Sequence, residues 1–146
     1  MANEITMSCS LSVVKIDATT NITTVYANYQ GQNKITLTGS SGPYVGTVSV
    51  PTTGVAVDLS AVGTPGVAWL YNQDPTNPVS VGTRDVGTGK FSPLLRLTPG
   101  MKQCVYLDPH LGIEESGAGS SSAGTDQLFL KAFNGTCRVD LEIFPQ

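Results

Sequence analysis

Val67-Ala68-Trp69-Leu70-Tyr71 has no charged or strongly polar position, and it is bounded on both sides by residues that interrupt regular structure. Upstream stands Gly63-Thr64-Pro65-Gly66, where Pro fixes one turn residue and Gly permits positive φ at the next. Downstream, Asn72-Gln73-Asp74-Pro75-Thr76-Asn77-Pro78 reads as a second turn. A short apolar run between such breaks is a strand covered on both faces, with Trp69 in the core. The flanks agree. Val55, Val57 and Leu59 alternate with Ala56 and Asp58, and Val79-Ser80-Val81 opens a further strand. No segment carries a helical period, so the expected class is all-β, a sandwich or barrel.

The rest of the chain extends this plan. Ile5, Met7, Cys9, Leu11 and Val13 alternate with Thr6, Ser8, Ser10 and Ser12, a first strand with one covered face. Asp17 to Tyr44 is rich in Thr, Asn and Gln, with short strands expected at Val25–Ala27 and Ile35–Leu37 around Gln30-Gly31-Gln32-Asn33. The alternative for residues 17–44 is an extended arm over a neighbouring subunit. Val45 to Val50 is a strand that stops at Pro51, since Pro cannot donate to a central ladder. Gly82 to Lys90 reads as a glycine-rich loop, Leu94 to Leu97 and Cys104 to Leu107 as strands, and Gly112 to Asp126 as an exposed loop. Leu128 to Phe133 then leads through Asn134-Gly135, the dipeptide of a tight type I′ turn, into alternating Cys137, Val139, Leu141 and Ile143. Eight or nine short strands in one domain over residues 1–146 predict an antiparallel β-sandwich of jelly-roll type.

Composition narrows function more than motifs do. The net charge is −3 and 13% of residues are charged, against about 25% in an average globular protein. Ser, Thr, Asn, Gln and Gly fill the polar positions, a neutral surface with no electrostatic footprint for nucleic acid. MANEITMSCSLSVV alternates rather than placing an apolar run after a basic segment, so neither an export signal nor a membrane span is expected, and synthesis in a cytoplasm is. Cys9, Cys104 and Cys137 are odd in number and widely spaced, which favours buried thiols over disulfides or zinc.

Candidate chemistry meets a simpler reading at each point. His110 lies near Asp108, Glu114 and Glu115, but a zinc site needs several nitrogen or sulfur ligands; no metal or cofactor is expected. Gly-x-Ser-x-Gly is absent, and Gly117-Ala118-Gly119-Ser120 lacks both a nucleophile-elbow context and the Lys-Ser/Thr of a phosphate loop. Asp58, Asp140 and Glu142 fall at outward positions of strands, where soluble sheets place charges in any case. The chain is therefore expected not to be an enzyme. Trp69 as a sugar-stacking platform is weighed against the core position its neighbours favour. Tyr26, Tyr29 and Tyr44, in the polar N-terminal third, are interface candidates because tyrosine is favoured in protein contacts.

The segment Val62-Gly63-Thr64-Pro65-Gly66-Val67-Ala68-Trp69-Leu70-Tyr71-Asn72-Gln73-Asp74, then Leu94-Leu95-Arg96-Leu97-Thr98-Pro99-Gly100 and the closing strand Val139 to Phe144, resembles small β-sandwich virion proteins of tailed bacteriophages. The likeness is one of strands and turns and covers the last two thirds of the chain. It implies a capsid decoration or cement protein, a homotrimer on the outer capsid surface that bridges major capsid proteins and helps the shell resist internal pressure. Such proteins carry no catalytic motif to transfer. A tail or fibre accessory protein and a carbohydrate-binding β-sandwich are the alternatives.

Overall fold

The computed structural model describes residues 3–16, 19–20, 23–37, 43–62, 64–107 and 126–145. They belong to two compact units, Met1–Leu37 and Thr38–Gln146.

The first unit is a two-stranded antiparallel ribbon of β1 (Asn3–Ile16) and β2 (Thr23–Leu37). Thr6, Ser8, Ser10 and Ser12 face Lys34, Gln32, Gln30 and Asn28 across it, and all eight are exposed. Ile5, Met7, Cys9, Leu11 and Val13 stand opposite Ile35, Asn33, Gly31, Tyr29 and Ala27 in the alternate rows. The two short strands expected around Gln30–Asn33 are thus one long strand. Gly31 is not a turn residue but the partner of Cys9. The hydroxyl and amide side chains that resemble loop composition fill a solvated strand row equally well.

The described residues of the second unit form eight strands: β3 (Tyr44–Val50), β4 (Val55–Ala56), β5 (Pro65–Asn72), β6 (Val79–Asp85), β7 (Phe91–Leu97), β8 (Lys102–Tyr106), β9 (Asp126–Ala132) and β10 (Cys137–Pro145). They form two antiparallel sheets, ordered β3-β10-β5-β8 and β4-β9-β6-β7. The chain is all-β, an antiparallel sandwich. One core lies between the sheets: Val50, Ala68, Leu70, Val139, Leu141 and Ile143 from the first meet Val79, Val81, Leu97, Leu128, Leu130 and Ala132 from the second. Asn72 is the one buried polar residue among those described.

Asn134-Gly135 does not close a hairpin. β9 and β10 lie in different sheets, so the four-residue link carries the chain from one sheet to the other. Gly135 has the positive φ of 71° that the sequence suggests. The strands beside it take other partners: the Phe133 amide donates to the Pro78 carbonyl, and the Ala132 amide to that of Pro51. Of the five connections between consecutive strands within 44–107, only β6 to β7 stays in one sheet as a hairpin. The expected loop Gly82–Lys90 is in part strand, because β6 runs through Gly82 to Asp85. Gly82 is required there by contact rather than by φ. A Cβ on it would lie 2.1 Å from the Ser92 carbonyl oxygen and 2.8 Å from Pro93 Cα. Gly82→Ala is therefore expected to pry β7 from β6 and cost about 1–3 kcal/mol, read as a lower urea midpoint.

Aspartates anchor three of the turns. Asp58 Oδ1 accepts from the Ser60 amide, Asp85 Oδ1 from the Thr88 amide, and Asp74 Oδ1 from the amides of Thr76 and Asn77. Backbone hydrogen bonds to the charged form hold all three carboxyls below their ordinary value of 3.8. A depressed carboxyl contributes stability above its unfolded pKa, and that contribution is lost as pH falls through the lower folded value. Urea midpoints are thus expected to drop as pH falls below the ordinary carboxylate range. Asp74→Asn combined with Asp85→Asn should flatten that slope.

Candidate functional site

Strand register sorts the first sheet into an inner and an outer face, because directly opposed residues point the same way. Leu141, Leu70 and Gln103 form an inner row; Val45, Glu142, Trp69 and Cys104 form the neighbouring outer row. The next outer row is Thr47, Asp140, Tyr71 and Lys102, and on the other side stand Phe144, Val67 and Tyr106. Trp69 is therefore not a core tryptophan. β5 is central in its sheet and apolar from Val67 to Tyr71, but of those five only Ala68 and Leu70 belong to the core between the sheets. Trp69 and Tyr71 are half-buried on the outside.

This outer face is an aromatic surface with a charged border. The Trp69 and Tyr71 ring centroids are 5.9 Å apart at 51°, and Lys102 Nζ lies 4.9 Å from the Tyr71 centroid. Tyr106 is 50% and Val45 67% exposed. Asp140 is fixed on the border: Thr47 Oγ1 donates to its Oδ1 at 2.6 Å, and the Gln73 amide donates to Oδ2. Apolar rings among oriented polar groups are the composition of a contact surface rather than of a solvated sheet.

The second sheet presents a different outer face. Arg84 lies 5.0 Å over Phe129, which also packs 5.4 Å from Phe91, and Arg96 lies 5.0 Å over the exposed Phe133. Lys131 is paired in register with Ser80, itself opposite Arg96.

The three tyrosines singled out by sequence do not come together as a site. Tyr26 sits at the register shift of β2, between Val25 opposite Val14 and Ala27 opposite Val13, and Tyr29 is paired with Leu11; their side chains lie outside the described residues. Tyr44 opens β3, half-buried against the core, where a Cβ on Gly46 would lie 3.3 Å from its hydroxyl. Sequence reasoning passed over Trp69, Tyr71, Tyr106 and Phe144 as a group. The signal that could have found them is period two within the apolar run: Val67, Trp69 and Tyr71 share one parity, Ala68 and Leu70 the other.

His110, Glu114, Glu115 and Gly117–Ser120 lie outside the described residues. Among those described, no group of three His, Cys, Asp or Glu side chains is placed to hold a metal ion. Asp140 and Glu142 take the outward positions expected of them. Cys137 is fully buried, whereas Cys104 is exposed, contrary to the expectation of buried thiols throughout. Burial first, then the neighbouring Asp74 charge, pushes the Cys137 thiol up, and its Sγ lies 3.8 Å from the Asn77 carbonyl. Under native conditions a maleimide is expected to label Cys104 rapidly and Cys137 only after unfolding, resolved by peptide mass mapping.

No family model, curated protein or solved structure matches this chain.

Proposed function

We propose that this chain is a non-enzymatic structural protein of a virion, a capsid decoration or cement protein that stabilises a phage head by bridging major capsid proteins on its outer surface. The observation that carries the reading is the aromatic outer face built on Trp69, Tyr71 and Tyr106. It lies on a four-stranded sheet, is bordered by the hydrogen-bonded Asp140, and suits a broad contact made of area. The exposed Ser/Thr/Gln/Asn row of the β1–β2 ribbon adds a second surface that can hydrogen-bond a protein partner without strong charge.

Strand order supports a jelly roll. Counting the eight strands of the second unit in sequence, the sheets read 1-8-3-6 and 2-7-4-5, the order two Greek keys produce. The test is made on particles. Shells depleted of this protein should rupture at a lower temperature than complete ones, and purified protein should restore them. Equal robustness of depleted and complete shells would end the cement reading.

Outward placement of Trp69 also revives carbohydrate binding. Two rings tilted by 51°, one with an ammonium over it, give a sugar no common plane on which to stack. A glycan titration in which affinity is lost in Trp69→Ala would favour that reading over the capsid one.

A further inference from the structure

We propose that the open edge of β8 pairs with the same edge of a second copy, antiparallel and two-fold, centred on Cys104. Among the described residues β8 is the outermost strand of its sheet and is bonded only to β5. The Leu107 amide donates to the Gly66 carbonyl at 2.9 Å and the Met101 carbonyl accepts from the Asn72 amide at 3.0 Å, so residues 101 and 107 turn these groups toward β5. Alternation along the strand gives Gln103 and Val105 the same direction. Lys102, Cys104 and Tyr106 therefore present N–H and C=O groups to the open edge. The Cys104 carbonyl takes a bond from the neighbouring Gln103 side-chain amide, at 3.0 Å.

These outward residues fix the register. Only centring on Cys104 pairs all of them: Cys104 with Cys104 of the second copy, and Lys102 with Tyr106 at each end. Each pair exchanges both backbone bonds. Charge agrees with this arrangement. Each Lys102 ammonium faces a tyrosine ring instead of the other lysine, and Lys102 already lies 4.9 Å from the Tyr71 ring in its own chain. The aromatic outer faces then join across the axis, Trp69-Cys104 against Cys104-Trp69.

The other edges of the two four-stranded sheets are less suited. β4 has two residues, β7 is interrupted by Pro93 beside a register shift, and β3 carries Gly46, which gives a cross-strand neighbour no side chain. A two-fold dimer would replace, for the isolated protein, the trimer that the resemblance implies. It does not depend on the capsid reading.

Light scattering of the reduced protein over a dilution series should give twice the 15.2 kDa chain mass. Diamide, which takes up two electrons and two protons as two thiols join, should then link two chains through Cys104. The link should be absent in Cys104→Ser, which should remain dimeric. Tyr106→Lys sets two lysines opposite each other at both ends and should raise the dimer dissociation constant about tenfold, whereas Tyr106→Glu should lower it. Tyr106 is exposed, so native thermal unfolding of both variants provides a check that the fold is intact. A monomer at every concentration, a trimer, or a dimer that neither crosslinks at Cys104 nor responds to Tyr106→Lys overturns the proposal. The last outcome would direct attention to the β3 edge.

Discussion

Asn72→Leu is expected to lower the unfolding free energy by about 3–4 kcal/mol, although leucine matches the apolar surroundings better than asparagine does. Asn72 is 0% exposed and every polar atom of its side chain is used. Its Nδ2 donates to the carbonyls of Asn77 at 2.9 Å, Leu97 at 3.2 Å and Thr98 at 3.3 Å, and its Oδ1 accepts from the Asp74 amide at 3.1 Å. Its main chain bonds to Met101 and Gly100. One side chain thus ties the end of β5 to both turns that cross between the sheets at that end. Leucine would supply apolar contact but leave those carbonyls and the Asp74 amide without their partner inside the protein. An unsatisfied buried group costs about 1–3 kcal/mol, and two of the three carbonyls are near enough to solvent to recover part of it. A denaturant titration at neutral pH measures the loss directly.

Asn72→Asp sharpens the same argument. A carboxylate cannot donate to three carbonyls and would be held protonated, with its folded pKa above the unfolded value. Its stability contribution is then complete at low pH and is lost as pH rises, the opposite of Asp58, Asp74 and Asp85. The difference in stability between variant and native protein should therefore widen between pH 4 and 7. A constant difference would mean that the site relaxes to admit water.

Much of this architecture was legible in the chain, and the misreadings have physical causes. Alternation at Cys137–Ile143 located a strand because one of its faces meets the core. Pro51, the Asn72–Pro78 segment and Thr98-Pro99-Gly100 located corners. What alternation cannot carry is pairing. Asn134-Gly135 supplies the same left-handed residue whether the next strand returns beside the last or crosses to the other sheet; distant carbonyls at Pro51 and Pro78 decide that. Nor can an apolar run disclose that one of its faces is outside. Trp69 and Tyr71 looked like core because an apolar outer face has the composition of an interior. Cys104 was misjudged for the same reason, since its neighbours Val105 and Leu107 do pack on the core.

On the proposed capsid role, replacing Trp69 and Tyr71 together by serine is expected to weaken binding to emptied capsid shells about a hundredfold while leaving the fold in place. The two rings are half-buried and centrally placed, between the Asp140 and Glu142 border on one side and β8 on the other. Hot-spot residues in protein contacts have this setting: aromatic, in the middle of the patch, and screened from water by polar neighbours once the partner is seated. Because Ala68 and Leu70 face the other way, the core should lose little and the urea midpoint should shift much less than in Asn72→Leu. Salt provides the second reading. The face is apolar at its centre, and Asp140 on its border is held by the neutral Thr47 and Gln73 side chains, so raising ionic strength from about 50 mM to about 500 mM should change native binding only weakly, whereas an ion-pair contact would fade over that range. Binding unchanged in the double variant would remove this face from the contact and leave the exposed polar row of the β1–β2 ribbon as the surface to alter next.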